Sequence, residues 1–166
     1  MLVYREGTTL GHDITFTRLS EIQPDEIIAH MSGPIVAEHM PLLTFKWDMT
    51  AVSDFVAAKE AYWNRDGLGH WAILSNKQYI GWGGFQREGD EWDFGLVLKP
   101  EAFGLGIRVF KMAIEFAIAD DRIPFVTFLL SPSRRNLRAL ERFGARFIDE
   151  TEYEGAKFLK YRLETS

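Results

Sequence analysis

The sequence contains no cysteine. That excludes disulfides, thiolate catalysis, cysteine-ligated metal sites and acyl transfer through an acyl-cysteine intermediate. It also lacks any apolar run approaching the ~20 residues that cross a bilayer, and its opening residues, MLVYREGTTLGHD, hold no apolar signal-peptide core. A cytoplasmic location with no membrane partner is the expectation. Basic charge is scarce: 19 Lys and Arg stand against 24 Asp and Glu, for a net charge of −5. Nucleic-acid partners, which call for a basic face, are not expected. Repeats, low-complexity tracts and Pro/Gly/Ser linkers are missing too, so residues 1–166 read as a single domain. The four histidines, His12, His30, His39 and His70, show no metal-ligand spacing, and no metal is expected.

What is present is apolar and aromatic. Hydrophobic residues make up 46% of the chain and aromatics 14%, enough for a sizeable core at this length. Alternation and β-branching predict a strand over Ile14–Arg18. Two short helices follow Pro24, broken at Gly33-Pro34, and the apolar spacing of Val52, Phe55, Val56, Tyr62 and Trp63 predicts a helix over Thr50–Arg65. Strands at His70–Leu74, Tyr79–Phe85 and Trp92–Leu98 are separated by polar turns at Asn76-Lys77 and Arg87–Asp90. A glycine-containing loop then leads to what reads as the longest helix, Ile107–Ala119. A strand at Phe125–Leu130, a helix at Asn136–Phe143 and strands at Ala145–Thr151 and Lys157–Leu163 complete the order. A meander followed by strand–helix crossovers implies an α+β (α/β) domain. The expected sheet is mixed, mostly antiparallel and six- to seven-stranded, with about four helices on both faces.

The most informative segment is LVLKPEAFGLGIRVFKMAIEF, residues Leu96–Phe116. A strand feeds Gly104-Leu105-Gly106, which opens a helix. Glycines let a ligand approach the backbone, and the free N–H groups and positive dipole of a helix start suit a phosphate. A tight strand-to-helix loop explains the same glycines. The segment is not a P-loop, because no Gly-Lys-Ser/Thr follows, and not a dinucleotide fingerprint, because Val109 stands where the third glycine belongs.

This segment resembles the pyrophosphate loop of the GCN5-related N-acetyltransferase (GNAT) superfamily, Gln/Arg-x-x-Gly-x-Gly/Ala. Here Glu101 replaces the first residue, and Pro100 and Phe103 are similar to the variant of the ribosomal-protein N-terminal acetyltransferases. A second block, Asn136-Leu137-Arg138-Ala139 to Phe143-Gly144-Ala145, resembles the family's second motif, with Ala145 where Phe is usual. The resemblance covers roughly residues 14–163.

The resemblance implies the GNAT fold and transfer of an acetyl group from acetyl-CoA to a primary amine, on a small molecule or a protein N-terminus, by direct attack. It implies that acetyl-CoA, as co-substrate, is held by Leu96, Val97 and Leu98 along the fourth predicted strand, and by Phe103, Gly104, Leu105, Gly106, Ile107, Arg108 and Asn136 around the pyrophosphate. Asp93 stands where that branch often has a Glu base; a solvated strand carboxylate is the plain alternative. Leu140 stands where many members carry a Tyr acid. Trp47 and Trp63 are candidate walls of the acceptor pocket, and Glu38, Asp48 and Asp54 are reserve bases. Glu101 and Leu140 together motivate a second reading, a non-catalytic acyl-CoA-binding or regulatory domain. A homodimer is left open.

Overall fold

The protein is described by a computed structural model covering residues 4–5, 13–39, 46–132 and 137–166. Eight strands form one sheet: β1 (Tyr4–Arg5), β2 (Ile14–Arg18), β3 (His70–Ser75), β4 (Gln78–Glu88), β5 (Glu91–Leu98), β6 (Phe125–Leu130), β7 (Arg146–Tyr153) and β8 (Ala156–Glu164). Five α-helices accompany them: α1 (Pro24–Met31), α2 (Pro34–His39), α3 (Met49–Asp66), α4 (Gly106–Ala119) and α5 (Leu137–Arg142). The strand order is β1-β2-β3-β4-β5-β6-β8-β7, and only β5 and β6 run parallel. The expected mixed, mostly antiparallel α+β sheet is therefore present. The two-residue β1 is an addition to it.

The longest helix is α3, not α4. Its start is fixed by the Asp48 side chain, which accepts a hydrogen bond from the Ala51 amide at 2.8 Å. Its end is fixed by Gly67, whose φ of 72° is the left-handed stop that only glycine takes without strain. The Asn76-Lys77 turn has φ of 50° and 68°, the geometry that suits the twist of a tight β3–β4 hairpin.

Alternation along the strands divides the core in two. One face packs Trp71, Ile73, Phe85, Phe94 and Phe128 under α4, through Val109, Phe110 and Ala113. The other packs Ala72, Tyr79 and Trp82 under α1 and α3, through Ile27, Met31 and Val52. A bulge lets both arrangements coexist along β4. Ile73 pairs with Gly81 and Leu74 with Tyr79, so Ile80 is the extra residue. The inserted residue reverses the alternation, sending Ile80 to the α4 face and Tyr79 to the α3 face. Gly83 is required for a different reason: a Cβ there would come within 2.4 Å of the Gly95 carbonyl oxygen on β5.

Candidate active site

The site begins where two strands part. β5 and β6 pair at Trp92–Val126 and Asp93–Thr127 and no further. Beyond Asp93, residues Gly95, Leu96, Val97 and Leu98 pair with β4 on one side and, among the described residues, with no strand on the other. A strand edge of this kind offers a row of backbone N–H and C=O groups to an extended ligand. Leu96, Val97 and Leu98 lie on this stretch of β5; the Val97 carbonyl faces β4, 2.4 Å from where a Cβ at Gly81 would stand, so alternation turns the backbone groups of Leu96 and Leu98 to the opening.

The chain next makes a 3-10 turn, Pro100–Leu105, where a loop was expected, and enters α4 at Gly106. Pro100 suits the first position of such a turn because its missing N–H has no partner to lose there. Gly104 thus lies between a strand end and a helix N-terminus. None of the described residues lies within 4 Å of where a Cβ at Gly104 would stand, and Gly106 has an ordinary helical φ of −56°. Neither backbone conformation nor protein packing demands glycine at 104; an outside group approaching the backbone would. Phe103 and Ile107 flank the loop with exposed apolar side chains, and Leu105 packs inward on the core. Arg108 is half-buried in the first turn of α4. Glu101 is exposed on the same turn. Asn136 lies outside the described residues.

Asp93 sits at the point of divergence. Its neighbours Trp92 and Phe94 face α4, so alternation turns Asp93 to the α3 side, opposite Gln86 on β4. Thr127, across on β6, donates to its Oδ1 at 3.4 Å. Burial pushes the Asp93 carboxyl up to about 7; the Thr127 hydrogen bond and Lys160 oppose the rise, while Glu88 and Glu91 add to it. A carboxylate tuned to neutrality is a good proton acceptor at physiological pH.

Two further polar groups stand on the α3 side of the sheet, held together by hydrogen bonding. Lys59 of α3 places its Nζ 3.0 Å from His70 Nδ1 and 3.0 Å from Gln86 Oε1. The same ammonium lies 4.8 Å from the centre of the Trp82 ring. Burial lowers the Lys59 amine to about 8, with Glu88 and Asp93 acting the other way. Burial, then Lys59, holds the His70 imidazole well below its ordinary range. His70 is therefore neutral and accepts at Nδ1 from the ammonium.

Other candidates fall elsewhere. Trp63 is packed in the core, its indole N–H bonded to the His70 carbonyl at 2.9 Å. Trp47 is buried under α1 and α3, edge-on to Phe55 at 5.2 Å. Asp48 is occupied as the cap of α3, while Glu38 and Asp54 are exposed. Leu140 packs on the core and carries no proton to give. Among the described residues, no three His, Asp or Glu side chains gather as a metal site.

Comparison with known proteins bears on this geometry. No curated protein matches the sequence. Solved structures do resemble the fold. An acetyltransferase from Agrobacterium tumefaciens superposes with a TM-score of 0.75 at 19% identity, over 99% of this chain and 96% of the other. A GNAT-family acetyltransferase from Bordetella pertussis, described as putative, gives 0.72 at 17% identity, over 96% and 98%. RimL, a ribosomal L7/L12 alpha-N-protein acetyltransferase solved in complex with coenzyme A, gives 0.75 at 10% identity, over 97% and 98%. The family model of the GNAT acetyltransferase domain matches residues 14–146, from β2 through the parting strands, the glycine loop and α5. The chain is therefore a member of the GNAT acetyltransferase family.

Proposed function

We propose that the protein transfers the acetyl group of acetyl-CoA to a primary amine by direct attack, with Asp93 as the base. The observation that carries this reading is the meeting of three features at one place. The β5 edge is open beyond Asp93, Gly104 exposes backbone at the start of α4, and a carboxyl tuned to about 7 stands where the strands part. The residues present fit acetyl-CoA. Backbone groups of Leu96 and Leu98 suit an extended amide-bearing arm, and the amides around Phe103–Ile107, with Arg108, suit a pyrophosphate.

The chemistry follows from the acceptor. An alkylammonium has a pKa of about 10 and cannot attack until it loses a proton. Asp93, ionised in part at neutral pH, takes that proton directly or through water. The freed amine attacks the thioester carbon, the carbon–sulfur bond breaks, and the CoA thiolate leaves. With no cysteine in the chain, no acyl-cysteine intervenes. Leu140 cannot protonate the thiolate, so the proton comes from water or from another side chain. The acceptor is either a small molecule or a peptide N-terminus.

A thiol-release assay with acetyl-CoA and a panel of alkyl amines, amino acids and N-terminal peptides tests the reading. Amine-dependent release supports it. Tight CoA binding with no release for any amine favours the non-catalytic alternative that Leu140 raises.

A further inference from the structure

We propose that Lys59 is a positioning residue: its ammonium, buried between His70 and Gln86, acts through Asp93 and keeps that carboxylate available as a base at neutral pH. The inference rests on Asp93 being the base, and its first test does not depend on activity.

The argument begins with an oddity of sequence position. Lys59 lies on α3 four residues after Phe55 and four before Trp63, both turned toward the protein. A lysine in an apolar stripe is costly to desolvate and ordinarily points away. Here it points in and is fully engaged. Two of its protons go to His70 Nδ1 and Gln86 Oε1, each at 3.0 Å. The ring faces of Trp82 and Phe55 lie 4.8 and 5.6 Å from Nζ. Neutral His70, 6% exposed, is itself a rigid acceptor: its ring lies 5.4 Å from Trp82, tilted by 35°. Such a clamp fixes a charge in space.

What the charge faces decides its role. Gln86, which holds Lys59, is the direct cross-strand partner of Asp93 on the same side of the sheet. Charged and polar groups reach Asp93 from the neighbouring strands, Thr127 from β6, Glu88 from β4, Glu91 from its own strand and Lys160 from β8, and from α3 the Lys59 amine in turn feels Asp93. The two glutamates and burial favour the protonated acid. Thr127 and Lys160 favour the carboxylate. Coulomb attraction is mutual, so the carboxylate that raises the Lys59 amine must in turn be stabilised by the Lys59 ammonium. Lys160 also pairs with Glu91 at 2.8 Å, which spends part of its charge there. Lys59 has no acidic side chain in direct contact among the described residues, so its field falls on Asp93 and Glu88.

The test is a carbon-13 NMR titration of the Asp93 carboxyl in the intact protein. In Lys59→Met, which keeps length and removes charge, the Asp93 midpoint should rise by about one pH unit, the low end of what a neighbouring opposite charge supplies. Lys59→Arg should stay near wild type, and Glu88→Gln should move the midpoint down. The acid limb of kcat/KM for the amine should shift with the NMR midpoint in each variant. The reciprocal measurement needs no change at Lys59: in Asp93→Asn the Lys59 amine should titrate lower than in wild type. A purely structural lysine would lower stability in Lys59→Met without moving either midpoint. Unmoved midpoints in folded Lys59→Met or in Asp93→Asn overturn the proposal. If NMR shows the coupling while no variant or wild type turns over any amine, the acetyl-transfer reading fails and the electrostatic pair stands.

Discussion

The two faces of the sheet are built from different materials. Beneath α4, aromatic rings meet in series: Phe85 to Phe94 at 5.4 Å, Phe94 to Phe110 at 5.6 Å and Phe94 to Phe128 at 5.7 Å. Beneath α1 and α3, apolar packing is interrupted by ionisable groups. Asp93, Lys59 and His70 adjoin the opening between β5 and β6, and His30 is tied to the Tyr79 hydroxyl at 2.7 Å. Burial lowers His30 to about 4. The first face gains stability from apolar area removed from water. The second gives up part of that gain to hold charges where a substrate can meet them. The difference teaches that stability and chemistry are separable here by choosing a face.

The sharpest test of that separation is at Asp93. Asp93→Asn keeps size and packing but removes basicity, and kcat should fall about 10²–10⁴-fold, the usual range for general-base catalysis. The apparent affinity for acetyl-CoA should barely move, and the deficit should shrink at high pH, where free amine forms without help. Full activity at neutral pH would mean that Asp93 is not the base. On the other face, Phe128→Ala should destabilise the fold by about 3–5 kcal/mol in denaturant titration, while the molecules that remain folded keep their kcat. A lost kcat at full occupancy of the folded state would mean that the faces are not separable. Gly104→Val should leave the fold intact, because no atom of the described residues opposes a Cβ there, yet calorimetry should show acetyl-CoA binding weakened at least about tenfold, or about 1.4 kcal/mol. Unchanged affinity would remove the glycine loop from the site.

The smallest effect is the most diagnostic. Asp93 has a raised pKa in the folded state, so the native protein resists its ionisation. Below the ordinary carboxylate range both states are protonated and nothing is lost. Between there and about pH 7 the unfolded chain ionises first, and stability falls as pH rises. Asp93→Asn should therefore raise Tm at pH 8 by about 2–4 °C, equivalent to ~1 kcal/mol in a chain of this size, and leave it unchanged near pH 3. A residue selected for stability would show the opposite sign.

Much of this architecture was legible in the sequence because period and punctuation agree. Ile14–Arg18 alternates, Gly67 stops α3, and Pro100 separates β5 from the turn that follows. The parts not legible are those set by contacts distant in the chain. Two residues at Tyr4–Arg5 form a strand only because β2 offers them an edge. Pro100–Leu105 reads as a loop because a 3-10 turn has no apolar period of its own. Asp93 could be assigned a chemistry by resemblance, but its face depended on a register that alternation alone leaves ambiguous by one residue. Lys59 and His70 were passed over because a lysine on a helix is ordinarily solvated and a single histidine has no spacing to read. The available signal was the place of Lys59 within the stripe of Val52, Phe55 and Trp63, where a long aliphatic residue would otherwise stand.

The order β6-β8-β7 has a consequence for synthesis. β8 lies between β6 and β7, paired with β6 from Phe125–Glu164 to Leu130–Leu159 and with β7 from Arg146–Arg162 to Tyr153–Ala156. On the ribosome, β1 to β5 can zip together as an antiparallel meander while translation continues. β6 has only the short junction with β5 to hold it, and β7 has no partner at all, until residues 156–164 have been made. The half of the molecule beyond the opening is thus assembled in one late event. A nascent chain stalled shortly before Ala156 would present two unpaired strands, the state in which association with another chain is hardest to avoid.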